Sequence, residues 1–186
     1  MMVDLEESFE YERKFLVTNP GVVDGVIPEF ILQGYLTVAE HYAVRVRLVA
    51  DGSDQRLDVF RREKDCRGLL GKGLFPFESA ILAVKSPSTG GIRYEAEMDL
   101  AVDVAEHLCR LSLGLVVKDR YPIIHGDDLW VVDVFYGLNS PLVVAECERD
   151  APVEDLVVPD FCGLEVTNDL KYANESLAVE PFISWK

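Results

Sequence analysis

Ionisable and apolar residues alternate along most of the strand-like stretches of this chain. Near the start, Glu10, Glu12 and Lys14 fall at two-residue spacing, so a strand would place all three on one face. Aromatic residues such as Tyr11 and Phe15 fall among those on the opposite face. A polar strand face lies in water in an ordinary sheet, and it faces the inside of the molecule if the sheet closes on itself.

The same alternation recurs along the rest of the chain. Short turns separate the strand-like stretches, which predicts antiparallel strands in a barrel or a strongly curved sheet. The predicted strands cover residues 8–17, 29–38, 41–50, 80–86, 91–100, 114–124, 128–136 and 140–150. The further ionisable residues on their polar faces are Arg45, Arg47, Lys85, Arg93, Glu95, Glu97, Lys118, Arg120, Asp133, Glu146 and Glu148.

Two helices are predicted outside these strands. One begins near Asp103 with a capping-box pattern and ends before Gly114, and the other covers residues 168–178 with apolar residues on one face. Residues 51–79 have weak periodicity, so we interpret them as a hairpin extension or a mobile loop. The whole chain, residues 1–186, is then a single domain.

Composition excludes several kinds of partner. The net charge of −15 argues against nucleic acid and against anionic membrane surfaces. There is no long uncharged apolar run, and the acidic N-terminus does not suit a signal peptide. The four cysteines lack CxxC and zinc-finger spacing, which favours a reduced, cytoplasmic protein over disulfides or bound zinc as the alternatives.

A closed sheet would enclose the basic and acidic groups together. Enclosed charges cost much free energy unless they are paired or bound to ions. Carboxylates bind hard divalent cations, and arginine and lysine bind phosphate oxygens. The pattern therefore predicts a site for a metal and a polyphosphate, with salt bridges inside or on the surface of the sheet as the alternative.

These residues resemble the CYTH family, the triphosphate tunnel metalloenzymes. The family signature Glu-x-Glu-x-Lys is matched by EYERK (10–14), and further family-like pieces follow in the expected order over nearly the whole chain. These pieces are ILQGYL (31–36), VRVR (44–47), AVK (83–85), RYEAE (93–97), KDRY (118–121), WVVDVF (130–135), AECE (145–148) and EVTNDLKYAN (165–174).

The resemblance implies an α+β fold that is mostly antiparallel β, with an eight-stranded closed tunnel and flanking helices. It also implies a reaction on a triphosphate that depends on Mg²⁺ or Mn²⁺. The metal-binding carboxylates would be Glu10, Glu12, Glu95, Glu97, Asp133, Glu146 and Glu148. The triphosphate would be bound by Lys14, Arg45, Arg47, Lys85, Arg93, Lys118, Arg120 and Lys171. The residues expected to be catalytic are Glu10, Glu12, Lys14 and Lys85.

The family covers several activities. Because no pocket for a base can be identified in the sequence, we expect hydrolysis of inorganic triphosphate to pyrophosphate and phosphate by a monomer or homodimer. A class IV adenylate cyclase and a thiamine or nucleoside triphosphatase are the alternatives among enzymes. A non-catalytic polyphosphate-binding module is the alternative of another class, and the carboxylates argue against it because binding alone needs the basic groups more.

Overall fold

The computed structural model describes residues 6–39, 42–87, 92–149, 151 and 155–185, with side chains from residue 11 onward. Within these ranges the chain forms nine β-strands, three short α-helices and several 3₁₀ turns. The strands are β1 (Glu6–Val17), β2 (Glu29–Ala39), β3 (Tyr42–Asp51), β4 (Ser79–Lys85), β5 (Ile92–Asp99), β6 (Gly114–His125), β7 (Asp128–Phe135), β8 (Val143–Arg149) and β9 (Cys162–Glu165). The helices are α1 (Asp58–Arg62), α2 (Val102–Leu111) and α3 (Asn174–Val179).

Eight of the strands close into a barrel. Their order is β5-β4-β3-β2-β6-β7-β8-β1, every neighbouring pair is antiparallel, and β1 returns to pair with β5. The closing ladder runs from Glu6 opposite Glu97 to Tyr11 opposite Ile92. The prediction of a closed, eight-stranded antiparallel sheet with flanking helices is confirmed.

The ninth strand completes the wall of the barrel next to Lys14. The first half of β1 pairs with β5, and its last residues pair with β9, where Phe15 lies opposite Glu165. Between them, the Lys14 amide donates to Thr167 Oγ1 at 3.0 Å, and its carbonyl accepts from the Val166 amide at 2.8 Å. The sequence did not predict β9, because four residues are too few to display an alternating pattern.

The apolar faces of the strands point outward and are covered by helices. Phe30 and Leu32 of β2 and Leu48 of β3 are fully buried in the largest apolar cluster, together with Cys109 of α2. At Gly34 a β-carbon would lie 2.9 Å from the Cys109 α-carbon, so α2 packs directly on the β2 backbone. The inward faces are thereby left to the ionisable residues.

Residues 51–79 differ from the predicted hairpin extension or mobile loop. They form two 3₁₀ turns and α1, and Leu57, Phe60 and Leu70 in them are fully buried. The Phe60 ring lies 4.4 Å from that of Phe75 and 5.7 Å from that of Phe30, measured between centroids. Burial of these aromatic rings against the outside of the barrel fixes the segment. The weak periodicity of its sequence did not predict this packing.

Both predicted helices exist with different ends. Helix α2 begins at Val102 with Ala101 at its N-cap, so Asp103 lies in the first turn and is not the capping residue. The second predicted helix is divided by Ala173, whose backbone is extended, into a 3₁₀ turn and the six-residue α3. None of the helices in the described ranges is long and apolar enough to cross a membrane.

Candidate functional site

The inward faces of the barrel surround a small cavity that is lined almost entirely by polar groups. Six strands contribute charged residues to it, and all of these had been predicted as site residues. They are Glu12, Lys14, Arg45, Arg47, Lys85, Arg93, Arg120, Glu146 and Glu148. Tyr35 of β2 and residues 173–175 complete the lining.

One wall of the cavity consists of paired charges. The Lys14 ammonium lies 3.2 Å from a Glu12 oxygen and 3.0 Å from a Glu146 oxygen. The Arg120 guanidinium lies 2.9 Å from the other Glu146 oxygen. Burial alone would raise the pKa of Glu146, but the charges of Lys14 and Arg120 outweigh it and hold that pKa well below its usual range. Glu146 is therefore ionised.

Glu148 differs from Glu146, its neighbour on the same face of β8. Among the described residues, no hydrogen bond or salt bridge reaches its carboxylate. Burial raises the pKa of Glu148, and repulsion by Glu12 and Glu146 raises it further against the attraction of Lys85. A cation bound at this position would relieve that repulsion.

Arg47 is the uncompensated cation of the cavity. Its neighbour Arg45 is buried against Glu95 at 3.0 Å and Glu97 at 2.7 Å, whereas no described residue forms a salt bridge or hydrogen bond with the Arg47 guanidinium. Burial lowers the pKa of Arg47 to about 10, and repulsion by Arg45 and Arg120 contributes to the shift. A partly buried guanidinium without an acidic partner gains more from a bound anion than one that is already paired.

Helix α3 contributes an acidic residue to one end of the cavity. Glu175 is buried and accepts a hydrogen bond from Arg93 at 2.8 Å. Burial would raise the pKa of Glu175, but Arg93 lowers it below its usual range. Sequence reasoning missed Glu175, because one acidic residue in the first turn of a short helix is an ordinary pattern.

Two further predicted residues, Lys118 and Asp133, lie beneath the cavity and not in its wall. Both are fully buried and form a salt bridge with each other. Arg120 also donates to Asp133 through Nε at 2.8 Å, so this pair connects to the cavity through Arg120. Lys118 is thus enclosed by protein groups on all sides.

The remaining predicted residues stand apart from the cavity surface. Glu95 and Glu97 lie behind Arg45 and bind it. Lys171 is exposed, with its ammonium 5.8 Å from the centre of the Trp185 ring. Glu10 lies opposite Arg93 in the β1–β5 ladder, and its side chain is outside the described part of the structure.

In the part of the chain that the structure describes, no three acidic, histidine or cysteine side chains have the arrangement of a metal site. Two carboxylates of the cavity, Glu12 and Glu146, are instead paired with lysine or arginine. All four cysteines are free thiols, and Cys66, Cys109 and Cys147 are buried.

Comparison with known proteins places the chain among triphosphatases. It is 31% identical over 183 residues to an inorganic triphosphatase of Acetivibrio thermocellus, which covers 95% of this chain and 97% of that protein. It is 30% identical over 176 residues to an inorganic triphosphatase of Nitrosomonas europaea, which covers 91% of this chain and 97% of that protein. No protein-family model matches the chain.

A solved structure extends this likeness to the fold. The crystal structure of an inorganic triphosphatase superposes with a TM-score of 0.56 at 30% identity, covering 91% of this chain and 94% of the other. Since relatives of this identity match nearly the whole length of the chain, and the barrel has the closed eight-stranded topology, the chain belongs to the CYTH family together with these inorganic triphosphatases.

Proposed function

We propose that this protein hydrolyses inorganic triphosphate to pyrophosphate and phosphate in the barrel cavity, with the help of a divalent cation. The observation that carries the proposal is Arg47, a partly buried guanidinium with no acidic partner among the described residues, in a cavity lined by several cations. The names of two relatives of nearly full length support the same substrate.

The basic residues would bind the phosphate chain. Arg47 offers a free planar fork that suits bidentate contact with phosphate oxygens. Arg45 and Lys14 lie beside the cavity with acidic partners already in place, so they would share their charge between those partners and the substrate. Groups fixed in this way stabilise the charge that develops on the leaving pyrophosphate without having to reorganise.

The carboxylates of the cavity would supply the ligands of the divalent cation. Glu12, Glu146 and Glu148 all line the cavity, and burial together with repulsion by Glu12 and Glu146 raises the pKa of Glu148. Oxygen donors of this kind are the ligands that Mg²⁺ and Mn²⁺ prefer. When bound, the cation would neutralise phosphate charge and favour deprotonation of the attacking water.

We assign the Glu-x-Glu-x-Lys signature to Glu10, Glu12 and Lys14. Lys14 connects Glu12 on its own strand with Glu146 on β8, and so it would fix the direction of both carboxylates. Glu12 would then accept a hydrogen bond from the attacking water and orient it toward the terminal phosphorus. With its free thiols, the protein would act in the cytoplasm.

A release assay with a matched control tests the proposal. Phosphate and pyrophosphate are measured from inorganic triphosphate, ATP and thiamine triphosphate with Mg²⁺ or Mn²⁺, for wild type, Glu12→Gln and Glu180→Gln. We expect metal-dependent release from inorganic triphosphate that Glu12→Gln abolishes and that Glu180→Gln, at an exposed position of the C-terminal region, leaves intact. Cyclic AMP formed from ATP would identify a cyclase, and absence of any turnover would favour a binding module.

A further inference from the structure

Glu175 closes one end of the cationic cavity with a negative charge. From this we infer that Glu175 determines the length of the phosphate chain that the protein accepts, and that it favours triphosphate over longer linear polyphosphates. The inference rests on the proposed function, because it concerns how that same cavity selects among polyphosphates.

The helix that carries Glu175 is held tightly against the barrel. A β-carbon at Gly114, the first residue of β6, would lie 1.8 Å from the Ala178 carbonyl oxygen, so only glycine permits this approach. The Asn139 side chain donates to the Leu177 carbonyl at 3.3 Å and accepts from the Phe182 amide at 2.9 Å. The residues that follow Glu175 are thereby fixed, and the hydrogen bond from Arg93 fixes its carboxylate in the cavity.

Beyond Arg93 the described lining residues include no further cation. Among the described residues, this end is formed by Ala173, Asn174 and Glu175, and Glu175 accepts a hydrogen bond from Arg93 Nη2 at 2.8 Å. Lys171, which precedes this segment, is exposed and lies over Trp185 instead. A phosphate chain that extended past Arg93 would meet a carboxylate in place of a basic group.

At the opposite end of the barrel, too, the described residues do not form a continuous series of basic groups. There Arg120 separates the cationic cavity from a second, largely apolar cavity, and Glu29 and Asp51 contribute carboxylates to the second one. Arg120 is already bound to Asp133 and Glu146. The apolar side chains of this second cavity belong to Ile27, Pro28, Pro122, Leu129 and Val131.

The cationic part of the barrel is therefore short, and α3 closes it. An added phosphate unit carries another negative charge, and in a partly buried site its repulsion by Glu175 would weaken binding by about tenfold or more. Removing the charge of Glu175 both relieves this repulsion and frees Arg93 to bind the additional phosphate. Wild type should thus prefer triphosphate, and neutral variants at this position should lose that preference.

Binding measurements without metal test this inference independently of turnover. Titration calorimetry in EDTA measures the affinities of triphosphate, tetraphosphate and a long-chain polyphosphate for wild type and Glu175→Gln. We expect wild type to bind triphosphate most tightly, and Glu175→Gln to gain about tenfold in tetraphosphate affinity relative to triphosphate. Glu180→Gln, which neutralises an exposed carboxylate directly after the same helix, should leave the ratio unchanged.

A second variant separates charge from the fit of the helix. Glu175→Ala removes the carboxylate together with the bulk of the side chain, and the same change in chain-length preference is expected. Equal affinity of wild type for short and long chains, or an unchanged preference in both Glu175 variants, would overturn the inference. Failure of the proposed function has a different signature, since wild type would then release no phosphate from triphosphate with Mg²⁺ while keeping its binding preference.

Discussion

Lys118 and Arg47 both lie on inward faces of the barrel, but they differ in whether an acidic side chain neutralises them. The Lys118 ammonium is wholly enclosed and forms a salt bridge with Asp133. The Arg47 guanidinium lines the cavity, and no described side chain neutralises it. A charge that the fold itself compensates holds strands together, whereas an uncompensated charge is left for a ligand.

The compensated pair is nevertheless held at a cost in free energy. Burial lowers the pKa of Lys118 to about 8, and repulsion by Arg120 contributes, although Asp133 acts in the opposite direction. What the pair provides is position, since Asp133 also binds Arg120 by two hydrogen bonds at 2.8 Å and 2.7 Å. Arg120 is thereby directed into the cavity.

The largest effect on activity is expected from Arg47→Gln. Loss of the free guanidinium should lower kcat/KM for triphosphate by about 100-fold or more, because a charge-assisted contact to the reacting anion is removed. The midpoint of thermal unfolding should stay the same or rise, since the variant no longer holds a partly buried, unpaired cation. Steady-state kinetics and thermal unfolding measure the two effects.

Arg56→Gln is the matched control for that change. Arg56 is exposed and pairs only with Asp54 in a local turn. Its replacement should alter neither activity nor stability. If Arg47→Gln kept wild-type kinetics, or if Arg56→Gln lost activity to the same extent, the distinction between compensated and free cations would fail.

Breaking the Lys118–Asp133 pair should lower the stability of the protein, in contrast to Arg47→Gln. Asp133→Leu leaves Lys118 buried without its acid, so the free energy of unfolding should fall by about 3 to 5 kcal/mol. Combining Asp133→Leu with Lys118→Met also removes the unpaired Lys118 charge, so part of the lost free energy of unfolding should be restored. Denaturant unfolding of the two single variants and the double variant measures the coupling. Simple additivity would show that the pair has no structural role.

The smallest effect concerns the pH dependence of stability at Glu175. The folded pKa of Glu175 lies below its unfolded value of about 4.5. Its contribution to stability is therefore fully present above that pH and is lost as the pH falls toward the folded pKa. Unfolding free energies measured below about pH 4.5 should fall less steeply for Glu175→Gln than for wild type. If the unfolding free energies of wild type and Glu175→Gln fell equally steeply in this pH range, Glu175 would not be held by Arg93 in solution.

Much of the fold and the cavity could be predicted because strand alternation has a period of two. Once Glu12, Lys14 and Glu146 are assigned to strands, their positions on the inward face follow from parity alone. The same argument placed Arg45, Arg47 and Lys85 with them. Register then follows from short turns, and closure of the sheet brings these faces together.

The features of the fold and cavity that could not be predicted depend on contacts between residues that are distant in the sequence. Asp133 and Lys118 have the same parity as the cavity residues, but their position along the barrel axis, and therefore their burial, depends on the stagger of the strands. Phe60 is fixed by rings that approach it from residues 30, 75 and 77. Glu175 enters the cavity only because Gly114 lets α3 approach β6.

A crystal structure of the protein grown with inorganic triphosphate and without divalent cations would test the central claim most directly. We predict phosphate oxygens within hydrogen-bonding distance of the Arg47 guanidinium, inside the cavity that Lys14, Arg45 and Arg93 line. The Lys118–Asp133 pair should remain intact in that complex. Triphosphate bound elsewhere with Arg47 left unpartnered, or bound by opening the Lys118–Asp133 pair, would contradict the account.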